Sequence, residues 1–166
     1  MRNTFDRFNG RHQDYQAARP SYAQEFLDWL GELYAPPERY TAADIGSGTG
    51  KLSAQLLAAG FRVCGVEPNP DMRGAAEALL GGDPRFSSSN GTDHDTGLPD
   101  RSVDMVAAAQ AFHWFDGPAF ARECRRILRP GGRAVLVWNV RGSAPVNQAL
   151  AQVFREHCPS FHGFTG

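Results

Sequence analysis

Three glycines spaced two apart, in the run Asp44-Ile45-Gly46-Ser47-Gly48-Thr49-Gly50, constrain this chain more than any other feature. A strand-like approach, Tyr40 to Ile45, runs into them, and a helical pattern, Lys51 to Ala59, follows at once. A second strand-like run, Phe61 to Val66, then ends on Glu67. The order is strand, glycine turn, helix, strand, acid. Glycine lets a backbone turn sharply and pass close to a ligand where a Cβ would clash. The helix start offers unpaired N–H groups to an anionic or polar group. An acid about 20 residues beyond the first glycine sits where it can accept hydrogen bonds from ribose hydroxyls. This is the pattern of a nucleoside-binding βαβ unit.

Two phosphate-binding alternatives fit poorly. The dinucleotide fingerprint needs a glycine three residues after its second one, and after Gly48 that place is Lys51. The P-loop needs a glycine five residues before Gly-Lys-Ser/Thr. Here Ile45 fills the first slot and Leu52 the hydroxyl slot. A nucleoside without a phosphate suits the loop better.

The rest of the chain alternates the same way. Ser21 with Gln24 reads as a capping box for a helix with the stripe Phe26, Leu27, Leu30 and Leu33, stopped by Pro36-Pro37. Strands are expected over 41–45, 62–66, 85–89, 103–109 and 133–138. Helices are expected over 50–59, from Asn69-Pro70 to Gly81-Gly82, after Asp116, and over 145–157. The helix after Asn69 should turn Met72, Ala75, Ala76, Leu79 and Leu80 inward, and that after Asp116 should turn Phe120, Cys124, Ile127 and Leu128 inward. Strand–helix alternation predicts an α/β doubly wound, mostly parallel sheet. Ligands of such sheets bind at the carboxyl ends of the strands, where Asp44, Gly46, Glu67, Gly91 and Gln110 fall. Residues 1–20 are polar and aperiodic and read as an arm or lid ahead of a single binding domain over 21–166.

With 166 residues and a net charge of −1, the chain has the length of one domain and no charge bias toward nucleic acid. No run approaches the ~20 apolar residues of a membrane span. Cys64, Cys124 and Cys158 are odd in number and far apart, which suits free thiols in a reducing, cytoplasmic setting. His94, His113, His157 and His162 show no compact spacing with cysteines, so no metal site is expected.

Several marks in order resemble the class I S-adenosylmethionine-dependent methyltransferases. Asp44 to Gly50 is similar to their first motif, and Val66-Glu67-Pro68-Asn69 to their second. Gly91-Thr92 through Leu98-Pro99 is similar to their adenine-proximal segment, and Leu128-Arg129-Pro130-Gly131-Gly132 to the turn before their fifth strand. Arg19-Pro20-Ser21-Tyr22 and Gln110-Ala111-Phe112-His113-Trp114-Phe115 resemble the small-molecule branch that holds ubiquinone/menaquinone-type and trans-aconitate-type enzymes.

The resemblance implies a Rossmann-like fold, S-adenosyl-L-methionine as cofactor, and methyl transfer to a small-molecule acceptor by in-line displacement. It places Gly46, Ser47, Gly48 and Gly50 along the methionine and ribose parts of the cofactor, Asp44 at its cationic methionine end, and Glu67 on the ribose hydroxyls. Pro68, Asn69 and Met72 would flank the adenine or ribose, with Thr92 and Asp93 at the adenine edge. Gln110, Ala111 and Phe112 would wall the methionine moiety, with Trp114 and Phe115 packed beneath. Tyr15, Arg19 and Tyr22 would close over the cofactor. His113 is the candidate general base, although an aromatic-flanked histidine is more often a hydrogen-bonded structural residue. The family continues past its fifth strand with a helix and an antiparallel pair of strands. The expectation here is a fold lacking those last two strands and truncated at the C-terminus, whose exposed fifth-strand edge invites a homodimer. Two other classes compete: a non-catalytic S-adenosylmethionine-binding or dimerising module, and a nicotinamide-dependent oxidoreductase.

Overall fold

The computed structural model describes residues 21–139 and, singly, Gln152, which is helical. The arm over 1–20 with Tyr15 and Arg19, His157, Cys158 and His162, and all of the expected 145–157 helix except Gln152 lie outside the described residues.

Among the described residues five parallel strands form one sheet: β1 (Thr41–Ile45), β2 (Arg62–Val66), β3 (Phe86–Ser89), β4 (Val103–Ala109) and β5 (Leu128–Val137). Their spatial order is β3-β2-β1-β4-β5. The order reverses between β1 and β4, the switch point at which a crevice opens beyond the strand ends. Among the described residues four α-helices accompany the sheet: α1 (Gln24–Leu33), α2 (Lys51–Ala58), α3 (Pro70–Leu80) and α4 (Gly117–Ile127).

Strand side chains alternate between the two faces, and both faces are covered. Ala42, Val63, Met105 and Ala107 pack under Leu30 and Tyr34 of the α1 end and Leu52, Leu56 and Leu57 of α2. Ala43, Ile45, Cys64, Val66, Val106 and Ala108 pack under Phe120, Cys124 and Ile127 of α4. Parity decides where the acid of the glycine loop goes. Asp44 shares the face of Ala42, so it points beneath α2 rather than toward α4.

Local chemistry explains most element boundaries. Asn69 caps α3, its Oδ1 accepting the amides of Asp71 and Met72 at 3.0 Å each, and Pro70 follows at the first helical position. Asp116 caps α4 by accepting the Ala119 amide at 2.9 Å. The expected Ser21 capping box is absent. Gln55 of α2 pairs with both backbone groups of Tyr22 at 3.0 Å, which holds residue 22 extended. The helix therefore starts later, with Ala23 at its cap position and no side-chain cap.

Two other expectations need correction. Leu79 is 53% exposed, because α3 packs through Met72, Ala76 and Leu80 at a spacing of four. β5 begins at Leu128 instead of 133, since the chain leaves α4 directly into pairing with Val103 and then kinks. Gly131 takes φ +85° in that kink, where a side chain would be strained.

Candidate functional site

The cleft at the switch point consists of two cavities that share Gly46, Gly48 and Ala109. The larger, about 180 Å³, lies between the β2 end, the start of α3 and the segment after β4. The smaller, about 40 Å³, lies under the glycine loop beside Asp44.

Gly46, Gly48 and Gly50 all have positive φ, and each is needed for a different reason. A Cβ on Gly46 would meet the Ala111 Cβ at 2.7 Å, so this glycine lets the loop touch the segment after β4. A Cβ on Gly50 would meet Leu80 at 2.9 Å and Ala76 at 3.1 Å. Gly50 thus serves the packing of the α2 start on α3, and it lines neither cavity. A Cβ on Gly48 would meet nothing within 4 Å. The backbone there is open toward the cleft, the arrangement that a closely passing ligand requires.

Glu67 holds the loop in place. Its Oε2 accepts the Gly48 amide and its Oε1 the Asn69 amide, each at 2.9 Å. Each carboxylate oxygen offers two acceptor positions, so one on each remains for a ligand hydroxyl. Burial raises the Glu67 pKa, against the opposing pull of the Asn69 and Gly48 amides and of Arg73. Arg73 is itself anchored on the Glu67 carbonyl at 2.8 Å and on Asn90 at 3.0 Å.

Asp44 is 1% exposed and lines the smaller cavity. Its Oδ2 accepts the Ser53 hydroxyl at 2.7 Å. Desolvation pushes its pKa up to about 6; the Ser53 hydroxyl and amide oppose this, and the negative charge of Glu67 adds to it. Ser47, Tyr22, Thr49 and Lys51 line the same cavity.

Pro68, Asn69 and Met72 wall the larger cavity on one side, and Gln110 and Ala111 on the other. Gln110 adopts φ +55°, uncommon for a residue other than glycine, and its Nε2 donates to the Asn139 carbonyl at 3.3 Å. Thr92 and Asp93 also line this cavity. Asp93 accepts the Asp116 amide at 3.0 Å and faces His94 Nδ1 at 3.0 Å, tying its loop to the α4 cap.

The aromatic segment is arranged differently from the expectation. Residues 112–114 form a short 3-10 turn that reverses the inside and outside positions. Phe112 leaves the cleft and packs against Phe115, Phe120 and Trp138, with ring centroids 6.1, 5.7 and 6.2 Å away. Trp114 and Phe115, expected beneath, line the larger cavity instead. His113 is exposed, its ring lies tilted by 49° to that of Trp114 with centroids 5.0 Å apart, and it lines neither cavity.

Sequence reading missed one support. Thr96 is buried, and its amide and hydroxyl both donate to Glu123 Oε1, at 2.9 and 2.6 Å. Arg126 grips the same carboxylate with two nitrogens at 2.8 and 2.7 Å. The loop bearing Thr92 and Asp93 is thereby pinned to α4. Thr96 and Glu123 are 27 residues apart, so no local pattern marks their pairing. Among the described residues no group of His, Cys, Asp and Glu side chains is placed to hold a metal ion, and no helix is long and apolar enough to cross a membrane.

The donor set suits a cationic nucleoside: acids and open glycine backbone, with no phosphate-type loop. The family model of the methyltransferase domain matches residues 43–136. An uncharacterized methyltransferase of Mycobacterium tuberculosis is 42% identical over 127 residues, 76% of this chain and 49% of its own length. A second, from Schizosaccharomyces pombe, is 32% identical over 145 residues, 86% of this chain and 57% of its own. The chain therefore spans about half the length of the curated relatives it matches. The solved structure of a candidate type II methyltransferase from Anaeromyxobacter dehalogenans is similar at TM-score 0.68 and 37% identity, covering 84% of this chain and 56% of that one. A candidate S-adenosylmethionine-dependent methyltransferase from Methanococcus maripaludis shares the fold at TM-score 0.67 and 21% identity, over 95% of this chain and 74% of that one. With its motifs, its sheet and these relatives taken together, the chain belongs to the class I S-adenosylmethionine-dependent methyltransferases.

Proposed function

We propose that this chain binds S-adenosyl-L-methionine across the two cavities and supports methyl transfer to a small-molecule acceptor by in-line displacement. The observation that carries the reading is the pairing of two acids with one open glycine. Glu67 flanks the larger cavity, Asp44 the smaller, and Gly48 borders both.

Glu67 would accept the ribose hydroxyls on the lone pairs its two amide partners leave over. Met72 and Pro68 would flank the adenosine on one side, and Ala111 and Phe115 on the other, with Asp93 at its edge. Asp44 would face the cationic methionine end, with Ser47 and Tyr22 beside it. When bound, the cofactor supplies a methyl group already activated on a sulfonium. What remains for the protein is to hold the acceptor in line and to exclude water, and proximity and orientation supply most of the rate. His113 lies outside both cavities, so the proposal assigns it no proton transfer. The choice of a small acceptor rests on the branch resemblance and on the near-neutral charge of the chain.

The test is turnover. The protein is incubated with S-adenosylmethionine and a panel of small hydroxyl, amine and carboxylate acceptors, and S-adenosylhomocysteine is measured. Acceptor-dependent product, lost in Glu67→Ala, supports the proposal. Tight cofactor binding with no product across the panel supports the competing reading of a non-catalytic binding module.

A further inference from the structure

The smaller cavity is bordered by a deeply buried carboxylate. Asp44 is 1% exposed, and its bonded partner is the neutral hydroxyl of Ser53. Among the described residues no cationic side chain forms an ion pair with it.

Apart from Lys51, the neighbours named from each packed element are neutral or acidic. From the β2 end comes Glu67, an acid, and from within β2 comes Cys64, a buried thiol that feels the charge of Asp44. β4 places Ala107 opposite Asp44. Tyr22 and the Lys51 at the start of α2 border the cavity. A buried carboxylate in such surroundings keeps its proton to higher pH than an exposed one, until a positive charge arrives.

We propose that Asp44 couples ligand binding to a proton: a cationic ligand entering the smaller cavity displaces the proton from its carboxyl, and Ser53 is the positioning residue that sets the balance. The inference rests on the cofactor reading above. The step balances simply. The Asp44 O–H bond breaks, the carboxylate keeps the electron pair and faces the ligand cation, and the proton passes to the buffer. Ser53 favours the ionised form by donating to it, and so limits how much proton the empty site holds. The site then binds its cofactor less well in acid, by up to about tenfold for each pH unit below the Asp44 midpoint.

Two measurements test this on the chain as it stands. The first is carboxyl ¹³C NMR of the ligand-free protein, with the Asp44 signal assigned by its absence in Asp44→Asn. A midpoint well above the ordinary aspartate range is expected, moving higher in Ser53→Ala. The second is calorimetry with S-adenosylmethionine, and with S-adenosylhomocysteine, in buffers of different ionisation enthalpy at pH 6 and pH 8. Proton release at pH 6 that vanishes at pH 8 and in Asp44→Asn is expected. Release with both ligands assigns the coupling to the ammonium, and release with the sulfonium ligand alone assigns it to the sulfonium; either supports the proposal. Binding without proton release, or an Asp44 midpoint in the ordinary range, overturns the proposal and leaves the cofactor reading standing. Absence of binding by a folded sample overturns both.

Discussion

Glu67 accepts the backbone amide of Gly48 at 2.9 Å, joining the end of β2 to the open point of the glycine loop. With its second bond to Asn69, one side chain fixes both the loop and the start of α3. The same carboxylate is the candidate ribose acceptor, so the residue that shapes the loop is also the one that reads the ligand. Glu67→Ala should leave two amides without partners, costing about 1–3 kcal/mol for each buried one. Thermal unfolding should register that loss. Affinity for S-adenosylmethionine should fall at least about tenfold, since hydrogen bonds to a charged group contribute about 1.5–3 kcal/mol. Glu67→Gln, which keeps a carbonyl acceptor, should recover part of the stability and less of the affinity.

The three loop glycines should separate cleanly by variant. Gly46→Ala places a methyl 2.7 Å from the Ala111 Cβ at φ +70°. Overpacking and left-handed strain together predict a loss of about 2–4 kcal/mol. Gly48→Ala meets nothing, so only the conformational cost of about 1–2 kcal/mol applies. Its larger effect should be on ligand affinity, because the methyl projects into the open cleft. Chemical denaturation paired with a binding titration checks both halves. Equal affinity losses at matched stability losses would show that the open space at Gly48 has no role in binding.

The Thr96–Glu123–Arg126 network predicts an acid limb in stability. Arg126, followed by the Thr96 donors, holds the Glu123 pKa down to about 2 from 4.5. Because the folded value lies below the unfolded one, Glu123 stabilises the fold above the ordinary glutamate range. That contribution drains away as pH falls from 4.5 toward about 2. Glu123→Gln should remove this limb from a pH series of unfolding curves. Glu123→Ala should cost about 2–3 kcal/mol by stranding the buried Thr96 donors, while Arg126 keeps its bond to Asp100.

Much of this architecture was legible in the sequence, and what was not has physical causes. The glycine loop, the acid at the β2 end and the Asn69 and Asp116 caps are local patterns, and they fold as local patterns. Ser21 carries a capping signature, but Gln55, distant in sequence, takes the Tyr22 backbone and delays the helix. The Phe112–Trp114 turn exchanges Phe112 with Trp114 and Phe115, because a 3-10 step rotates side chains by more than an α-helical one. Glu123 and Thr96 meet across 27 residues, a pairing that periodicity does not encode.

The core makes its own demand at Phe61. It is fully buried and meets Tyr34 edge-on at 5.8 Å. Phe61→Ala should cost about 3–5 kcal/mol through lost transfer energy and the cavity left behind. Denaturant unfolding should show that loss with a slope close to that of the parent chain.

The central claim is that the paired cavities hold a cationic nucleoside read by Glu67. The most direct measurement is a calorimetric titration with S-adenosylmethionine and S-adenosylhomocysteine, with NADH as control and Glu67→Ala alongside. Micromolar binding of the first two, none of NADH, and an affinity at least about tenfold weaker in a folded Glu67→Ala is the predicted result. Binding of NADH instead, or cofactor binding that is indifferent to Glu67, would contradict it.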